Sequence, residues 1–167
     1  MHLINNYTIH HMIQRIQSVF LFLAVISAVL LFVFPIAWFY GESYNLQFHV
    51  YQLKDFVPSN EPIFSKYYLV LLTILTSLLV INPLITLFLY KNLKRQYAFA
   101  RINIFLSILH IGLTFFFYID QIEKVVLVSP DYRLGIFMPL AALVFSFLAM
   151  RGIAKDIKII RSVDRLR

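Results

Sequence analysis

The chain contains no cysteine in its 167 residues, which excludes disulfide bonds, thiol redox chemistry, thiolate-bound metals and iron–sulfur clusters together. Charge is scarce as well: Asp, Glu, Lys and Arg make up 14% of the chain, against roughly 25% in soluble domains. The eight Asp and Glu residues all fall outside the long apolar runs. Paired carboxylates are therefore missing where an ion-coupled carrier of the acidic-relay kind would need them. What is present is apolar. Hydrophobic residues make up 60% of the chain and the mean hydropathy is +0.78. A chain near the ~150-residue size of one domain cannot hide that much apolar surface in one soluble core. The bilayer is the expected solvent, and residues 1–167 read as a single integral membrane domain.

Charges bracket the apolar runs. Arg15 to Glu42 and Lys66 to Lys91 each leave more than twenty uncharged positions, Arg101 to Asp120 leaves eighteen, and Arg133 to Arg151 leaves seventeen. A helix needs ~20 residues to cross ~30 Å of hydrocarbon, with ~17 as the lower edge. Long Lys and Arg stems extend the two shorter runs by reaching outward. The spacing predicts helices over 14–39, 67–91, 98–119 and 134–151, the last continuing into a tail at 152–167. The fold class is thus an all-α membrane protein, a bundle of four transmembrane helices. The first run is too long for the apolar region of a signal peptide, and no small-residue cleavage site follows at Pro35-Ile36-Ala37-Trp38.

Orientation follows from the basic residues. Eleven lie on the side of the termini and of the 91–101 connection: Arg15, Lys91, Lys94, Arg95, Arg101 and six from Arg151 to Arg167. Four, Lys54, Lys66, Lys124 and Arg133, lie opposite, with six of the eight acidic residues. The positive-inside rule places both termini in the cytoplasm. Topology accounts for the net charge of +7, with attraction to anionic membrane lipids as a second benefit. Nucleic acid is not an expected partner, because no stacking platform or groove-reading motif accompanies the basic residues.

Residues 41–66 form the longest stretch outside the spans. There Tyr44, Leu46, Phe48 and Val50 alternate with Asn45, Gln47 and His49, a strand pattern. A second β-prone run, Val125 to Val128, ends at the turn signal Ser129-Pro130-Asp131. Such pieces predict a small extracytoplasmic sheet capping the bundle; the other reading is an interfacial loop whose aromatics rest among headgroups. In the tail, Ile153, Ile157 and Ile160 recur at helical spacing between Lys155, Lys158 and Arg161, an amphipathic cytoplasmic helix. It reads either as a basic stop-transfer flank or as a docking element for a protein partner.

Polar groups inside hydrocarbon are costly, so Asn82 in the second span and Asn103 and His110 in the third are informative. On the third span Asn103, Ser107, His110 and Thr114 form one stripe that should face other helices. Counted from Lys91 and Arg101 at ~1.5 Å per residue, Asn82 and His110 lie at similar depth. A hydrogen bond between them would contribute ~0.6–2 kcal/mol. The functional alternative for His110 is a proton relay or quinone-type contact. Haem is disfavoured because no second histidine sits at matching depth, leaving only Met138 or Met150 as an axial partner. Catalytic zinc lacks three convergent ligands. No cofactor or metal is expected.

Gly135, Pro139, Ala142, Ser146 and Ala149 make a compact stripe on the fourth span, expected to pack against the third, with Ala24, Ser27 and Ala28 of the first meeting the same interior. Asn82-Pro83 is expected to kink the second helix, with Asn82 or nearby hydroxyls satisfying the freed backbone.

Met12-Ile13-Gln14-Arg15-Ile16-Gln17-Ser18 at the mouth of the first span and Ile153-Ala154-Lys155-Asp156 with Ile160-Arg161-Ser162-Val163-Asp164-Arg165-Leu166-Arg167 in the tail carry a resemblance. Together they resemble an uncharacterised family of small four-helix bacterial inner-membrane proteins, a domain of unknown function. The resemblance covers the chain from Met12 onward, leaving residues 1–11 as an extension or a misplaced start. It implies an inner-membrane address and brings no activity, substrate or catalytic residue. Because its signatures lie at the two cytoplasmic ends, Gln14 and Arg15 are expected to meet Asp156, Arg161, Asp164 or Arg165, either locking the bundle or forming a docking face.

No catalytic set assembles from the spans. The leading expectation is a non-enzymatic accessory or scaffold subunit of a membrane complex. Its rival is a small carrier or redox-linked protein with a pocket around His110.

Overall fold

The computed structural model describes residues 3–41, 43–57, 62–65 and 67–164, with side chains described from Ile16 to Ser162. Four helical stretches are long and apolar enough to cross a membrane: Ile16–Val33, Val70–Lys91, Leu93–Val126 and Leu134–Ser162. Helix α1 (Leu3–Val33) and α2 (Val70–Phe88) are separated by three strands. These are β1 (Ala37–Tyr40), β2 (Asn45–Phe48) and β3 (Leu53–Asp55). A single 3-10 turn, Leu89–Lys91, leads into α3 (Leu93–Leu113). A π-helical segment, Thr114–Ile119, carries that helix into α4 (Asp120–Val126). Strand β4 (Asp131–Tyr132) and a 3-10 turn (Leu134–Phe137) precede α5 (Met138–Asp164). The four long helices close into a ring: α1 on α2, α2 on α3, α3 on α5 and α5 on α1.

The strands form one antiparallel sheet in the order β3-β2-β1-β4. It sits on the end of the bundle remote from the α5 tail; the two ends are called here the cap end and the tail end. The alternation expected in 44–50 is realised over Asn45–Phe48 only, since beyond the strand His49 is buried along with Val50. Leu46 and Phe48 point into the core and Val50 is buried beyond them, while Asn45 and Gln47 stay partly exposed. A sheet, not a headgroup loop, is what this pattern builds.

The first helix stops six residues before the expected 39. Pro35 has no N–H and disfavours helical geometry at Phe34, so the chain turns and Ile36 N–H donates to Phe48 O at 2.8 Å. Ala37 and Phe39 then face inward as strand residues, although hydropathy alone counted them as helix.

Val125–Val128 is not a strand. Ile122 and Val126 are buried at i and i+4, so the inward stripe of α3 continues and helical phase prevails over β propensity. Leu127 then ends the helix in the left-handed region at φ 58°.

The third helix starts at Leu93, not 98. Asn92 caps it, its Oδ1 accepting from Arg95 N–H at 3.2 Å. Helix α2 runs through Pro83 without a break in its helical span. The tail is the continuation of α5. Ile153 is buried, Ile157 half-buried and Ile160 exposed, so its apolar stripe is used against α1 only near the bundle.

Candidate functional site

The interior of the ring toward the tail end is polar. On α3, Gln96, Ala100, Asn103, Ser107, His110 and Thr114 are all buried. They recur at helical spacing, so one stripe of the helix points at its neighbours along five turns. The stripe predicted from the sequence is therefore the contact face, extended by Gln96.

Each polar member has an identifiable task. Gln96 Nε2 donates to Thr86 O on α2 at 3.2 Å, and Asn82 Nδ2 donates to Phe99 O on α3 at 2.9 Å. Asn103 Nδ2 donates to Ser146 Oγ on α5 at 2.6 Å, tying the expected small-residue stripe of α5 to α3. Ser107 Oγ donates back to Asn103 O at 2.9 Å within its own helix. Asn103 Oδ1 is buried and takes no hydrogen bond from the described residues.

His110, fully buried, does not meet Asn82. Its Nε2 lies 2.9 Å from Thr76 Oγ1, and its Nδ1 is 3.4 Å from Thr114 Oγ1. The hydroxyl of Thr76 donates to Leu72 O at 2.7 Å. Its single proton is thereby committed, so its oxygen accepts and His110 donates through Nε2–H. The misplacement has a simple cause. Because α2 and α3 are joined by one tight turn at Leu89–Lys91, Arg101 lies more than two turns inside α3 and is not the end of a span. Counting depth from it slides the two helices past one another. In the true register Thr76 meets His110 and Asn82 meets the turn around Phe99. Asn82's amide is thus spent across the interface, not on the carbonyl freed by Pro83.

The compact residues behave as expected of a close interface. Ala142, Ser146 and Ala149 on α5 and Ala24, Ser27 and Ala28 on α1 are buried. Gly135 approaches the end of α1: a Cβ there would stand 2.5 Å from Pro35 O.

At the tail end the expected cluster is only partly assembled. Asp156 is buried, 4% exposed, and its partner is Gln17 of α1, whose Nε2 donates to Oδ2 at 2.5 Å. Gly152, one turn earlier on α5, makes room for this contact, since a Cβ there would come within 2.7 Å of Gln17 Cγ. Arg161 is exposed. Arg165 and the side chains of Gln14, Arg15 and Asp164 lie outside the described residues. Gln17 stands in the same seven-residue signature as Gln14 and Arg15, one turn deeper on the helix. Thr76, Thr86 and Gln96 were likewise not singled out from the sequence, though Thr76 and Thr86 share a face of α2 with Pro83. Among the described residues no three His, Asp or Glu side chains converge into a group that could hold a metal.

A family model, that of the domain of unknown function DUF4293, matches residues 13–166, and the chain belongs to this family. No curated protein and no solved structure matches the chain.

Proposed function

We propose, taking membership of a family without an assigned activity as the premise, that this chain is a four-pass protein of a bacterial inner membrane with both termini in the cytoplasm. In this reading it serves as a non-enzymatic accessory or scaffold subunit of a membrane complex. The membrane assignment is supported by the outward faces of the helices, where Phe22, Val29, Leu71, Ile74, Phe105 and Leu140 are exposed. Side chains of that kind have a suitable solvent only in lipid.

The observation that carries the scaffold reading is how the interior polar groups are used. From Gln17 to Thr114 their hydrogen bonds run between helices or back onto their own helix. The void beside His110 is about 10 Å³, at most the room of one water. A carrier or redox site at His110 would need a cavity tens of times larger. The Thr76 proton also ends on a backbone carbonyl, which gives a relay no onward step. The bundle is therefore a support, and its working surfaces are the two ends.

The test is in-membrane crosslinking of the full chain from Lys155 and Lys158, exposed on α5, followed by mild detergent extraction. The expected result is one defined membrane-protein adduct that disappears when both lysines are changed to glutamate. A lone monomer, together with a harmless truncation of the tail, would overturn the scaffold reading. A His110→Leu variant that folds but loses its cellular phenotype would favour the carrier.

A further inference from the structure

Helix α5 carries two lengthwise stripes. The inward one holds Ala142, Ser146, Ala149, Ile153 and Asp156, all buried. The outward one, at spacings of three and four residues, holds Leu140, Val144 and Phe147 and then Arg151, Lys155 and Lys158, all exposed. Helical period places these six on one face, and that face changes from apolar to basic at a single point. The Arg151 guanidinium lies 5.8 Å from the centre of the Phe147 ring, so the first cation is held against the last apolar side chain. Beyond it, an open groove of about 500 Å³ has Arg151, Gly152, Ala154, Lys155 and Lys158 as its described lining.

The lengths match one leaflet, a comparison that rests on the membrane reading above and not on the scaffold reading. From Leu140 to Arg151 the face runs ~16 Å at ~1.5 Å per residue, close to half of the ~30 Å hydrocarbon core. An acyl chain lying along it brings its phosphate to Arg151. From Arg151 to Lys158 is a further ~10 Å, which carries the cations through the headgroup layer.

Charge on this side is not neutralised within the chain. Of the eight Asp and Glu residues only Asp156 and Asp164 belong to the tail side, against eleven Lys and Arg, and Asp156 is turned inward to Gln17. The stretches whose side chains lie outside the description here, 1–15 and 163–167, hold one acid, Asp164, against Arg15, Arg165 and Arg167, so they add no net negative charge. Both ion pairs among the described residues, Lys124–Asp120 and Arg133–Asp131, are at the cap end. The excess of cations on the tail side calls for an outside anion, and a lipid phosphate is the anion met at that depth. Lys158 stands where a zwitterionic head carries its own ammonium, a like charge that counts against such a head.

We propose that the outward face of α5 holds one anionic glycerophospholipid of the tail-side leaflet. Its phosphate lies between Arg151 and Lys155, the far end of an ammonium-free head reaches Lys158, and an acyl chain runs along Phe147, Val144 and Leu140.

The experiment uses the full chain in phosphatidylcholine nanodiscs doped with phosphatidylglycerol carrying a photoreactive group in mid-chain, or with phosphatidylcholine carrying the same group. Adducts are mapped by peptide mass spectrometry. The phosphatidylglycerol probe should label residues 140–147 at least fivefold more than the phosphatidylcholine probe. Lys155→Gln with Lys158→Gln should remove that preference. Lys91→Gln with Lys94→Gln, the same loss of charge from exposed side chains at the α2–α3 connection, should leave it, with helicity unchanged in both. Equal labelling by the two probes overturns the proposal, and so does an equal loss in the two double variants, which would reduce the effect to net charge. Unlabelled phosphatidylglycerol should displace the probe; displacement by inorganic phosphate at the same molarity would make this a site for a free anion and overturn the lipid assignment. Carbonate extraction of the native protein from vesicles separates the two readings: release would overturn the membrane reading and the site with it, whereas a carbonate-resistant protein without the labelling preference overturns the site alone.

Discussion

The cap end and the tail end of this molecule are packed by different means. At the cap end large side chains are fully buried: Leu31, Phe39, Phe48, Leu72, Tyr118 and Ile122 share one cluster. Toward the tail end Leu21 and Ile153 are fully buried too, but they are outnumbered by the small Ala24, Ala100, Ala142 and Ala149 and the polar Gln96, Asn103 and Ser146. On the membrane reading proposed above, Phe39 and Phe48 of the sheet leave water on folding, whereas the helical positions, Leu31, Leu72, Tyr118 and Ile122 included, lie in segments that would leave lipid. Burying aromatic surface is strongly favourable where the alternative is water. Between helices in lipid it gains little, and close backbone approach with interhelical hydrogen bonds takes its place.

The largest effect should come from cutting into the cap core. Phe48→Ala is expected to cost about 3–5 kcal/mol as a core truncation, against ~0.6–2 kcal/mol for Ser146→Ala, which removes the Asn103 partner. Denaturation in micelles can be followed through Trp38, the single tryptophan, which lies on β1 with its ring 5.3 Å from both Tyr40 and Phe56. Equal losses in the two variants would erase the distinction between the ends.

A second comparison sets two glycines against each other. Neither has positive φ, so space, not backbone freedom, is what each provides. A Cβ at Gly135 would strike Pro35 O at 2.5 Å and Pro35 C at 2.7 Å, which are backbone atoms. A Cβ at Gly152 would strike the side chain of Gln17. Gly135→Ala should therefore cost about 1–3 kcal/mol by overpacking, and Gly152→Ala less, because Gln17 can change rotamer at the price of its bond to Asp156. Thermal inactivation of the two variants in one detergent checks the order; a larger loss at Gly152 would mean that the Gln17–Asp156 contact, not the α1–α5 joint, organises this interface.

The same contrast explains what the residues reveal in one dimension. Four apolar helices follow from hydropathy because span length is a one-dimensional quantity. The inward stripe of α3 follows from period, and the strand at 45–48 from alternation. What does not follow is register between elements. The pairing of His110 with Thr76 depends on where the α2–α3 turn lies, and Asn92, the cap that fixes it, sits inside an unremarkable polar run. Residues 37–40 look like the end of a helix because a buried strand and a buried helix are both apolar; only Pro35 marks the change.

His49 offers a smaller, pH-dependent test confined to the cap. It is 7% exposed and its Nδ1 takes no hydrogen bond from the described residues. Burial, and then the charge of Lys54, holds it below its ordinary value of 6.5. In the unfolded chain it protonates at that ordinary value, while the folded chain resists the proton to lower pH. Cap stability should thus be flat above 6.5 and fall as the pH drops below it toward the folded value. A His49→Phe variant should lose that acid limb in Trp38-monitored unfolding, whereas an unchanged limb would place the titration elsewhere.

The finest test asks whether the interior ladder is held by its hydrogen bonds or merely decorated with them. If His110 donates through Nε2–H to Thr76, then Thr76→Val leaves a buried donor without an acceptor. His110→Leu leaves the Thr76 hydroxyl still bonded to Leu72 O, so no donor is stranded. Once the cost of the smaller side chain at 110 is removed by the double-mutant cycle, the coupling should be near 0.6 kcal/mol and no more than ~1.7 kcal/mol, the range for such bonds between membrane helices. The two nitrogens of His110 should also respond differently: nitrogen-15 shifts should report Nε2 as the protonated site in the native chain and lose that preference in Thr76→Val. A protonated Nδ1 would reverse the direction of the bond. Thr76 would then have to release Leu72 O to donate to the ring, and the ladder would be tied less firmly to the backbone of α2 than the geometry indicates.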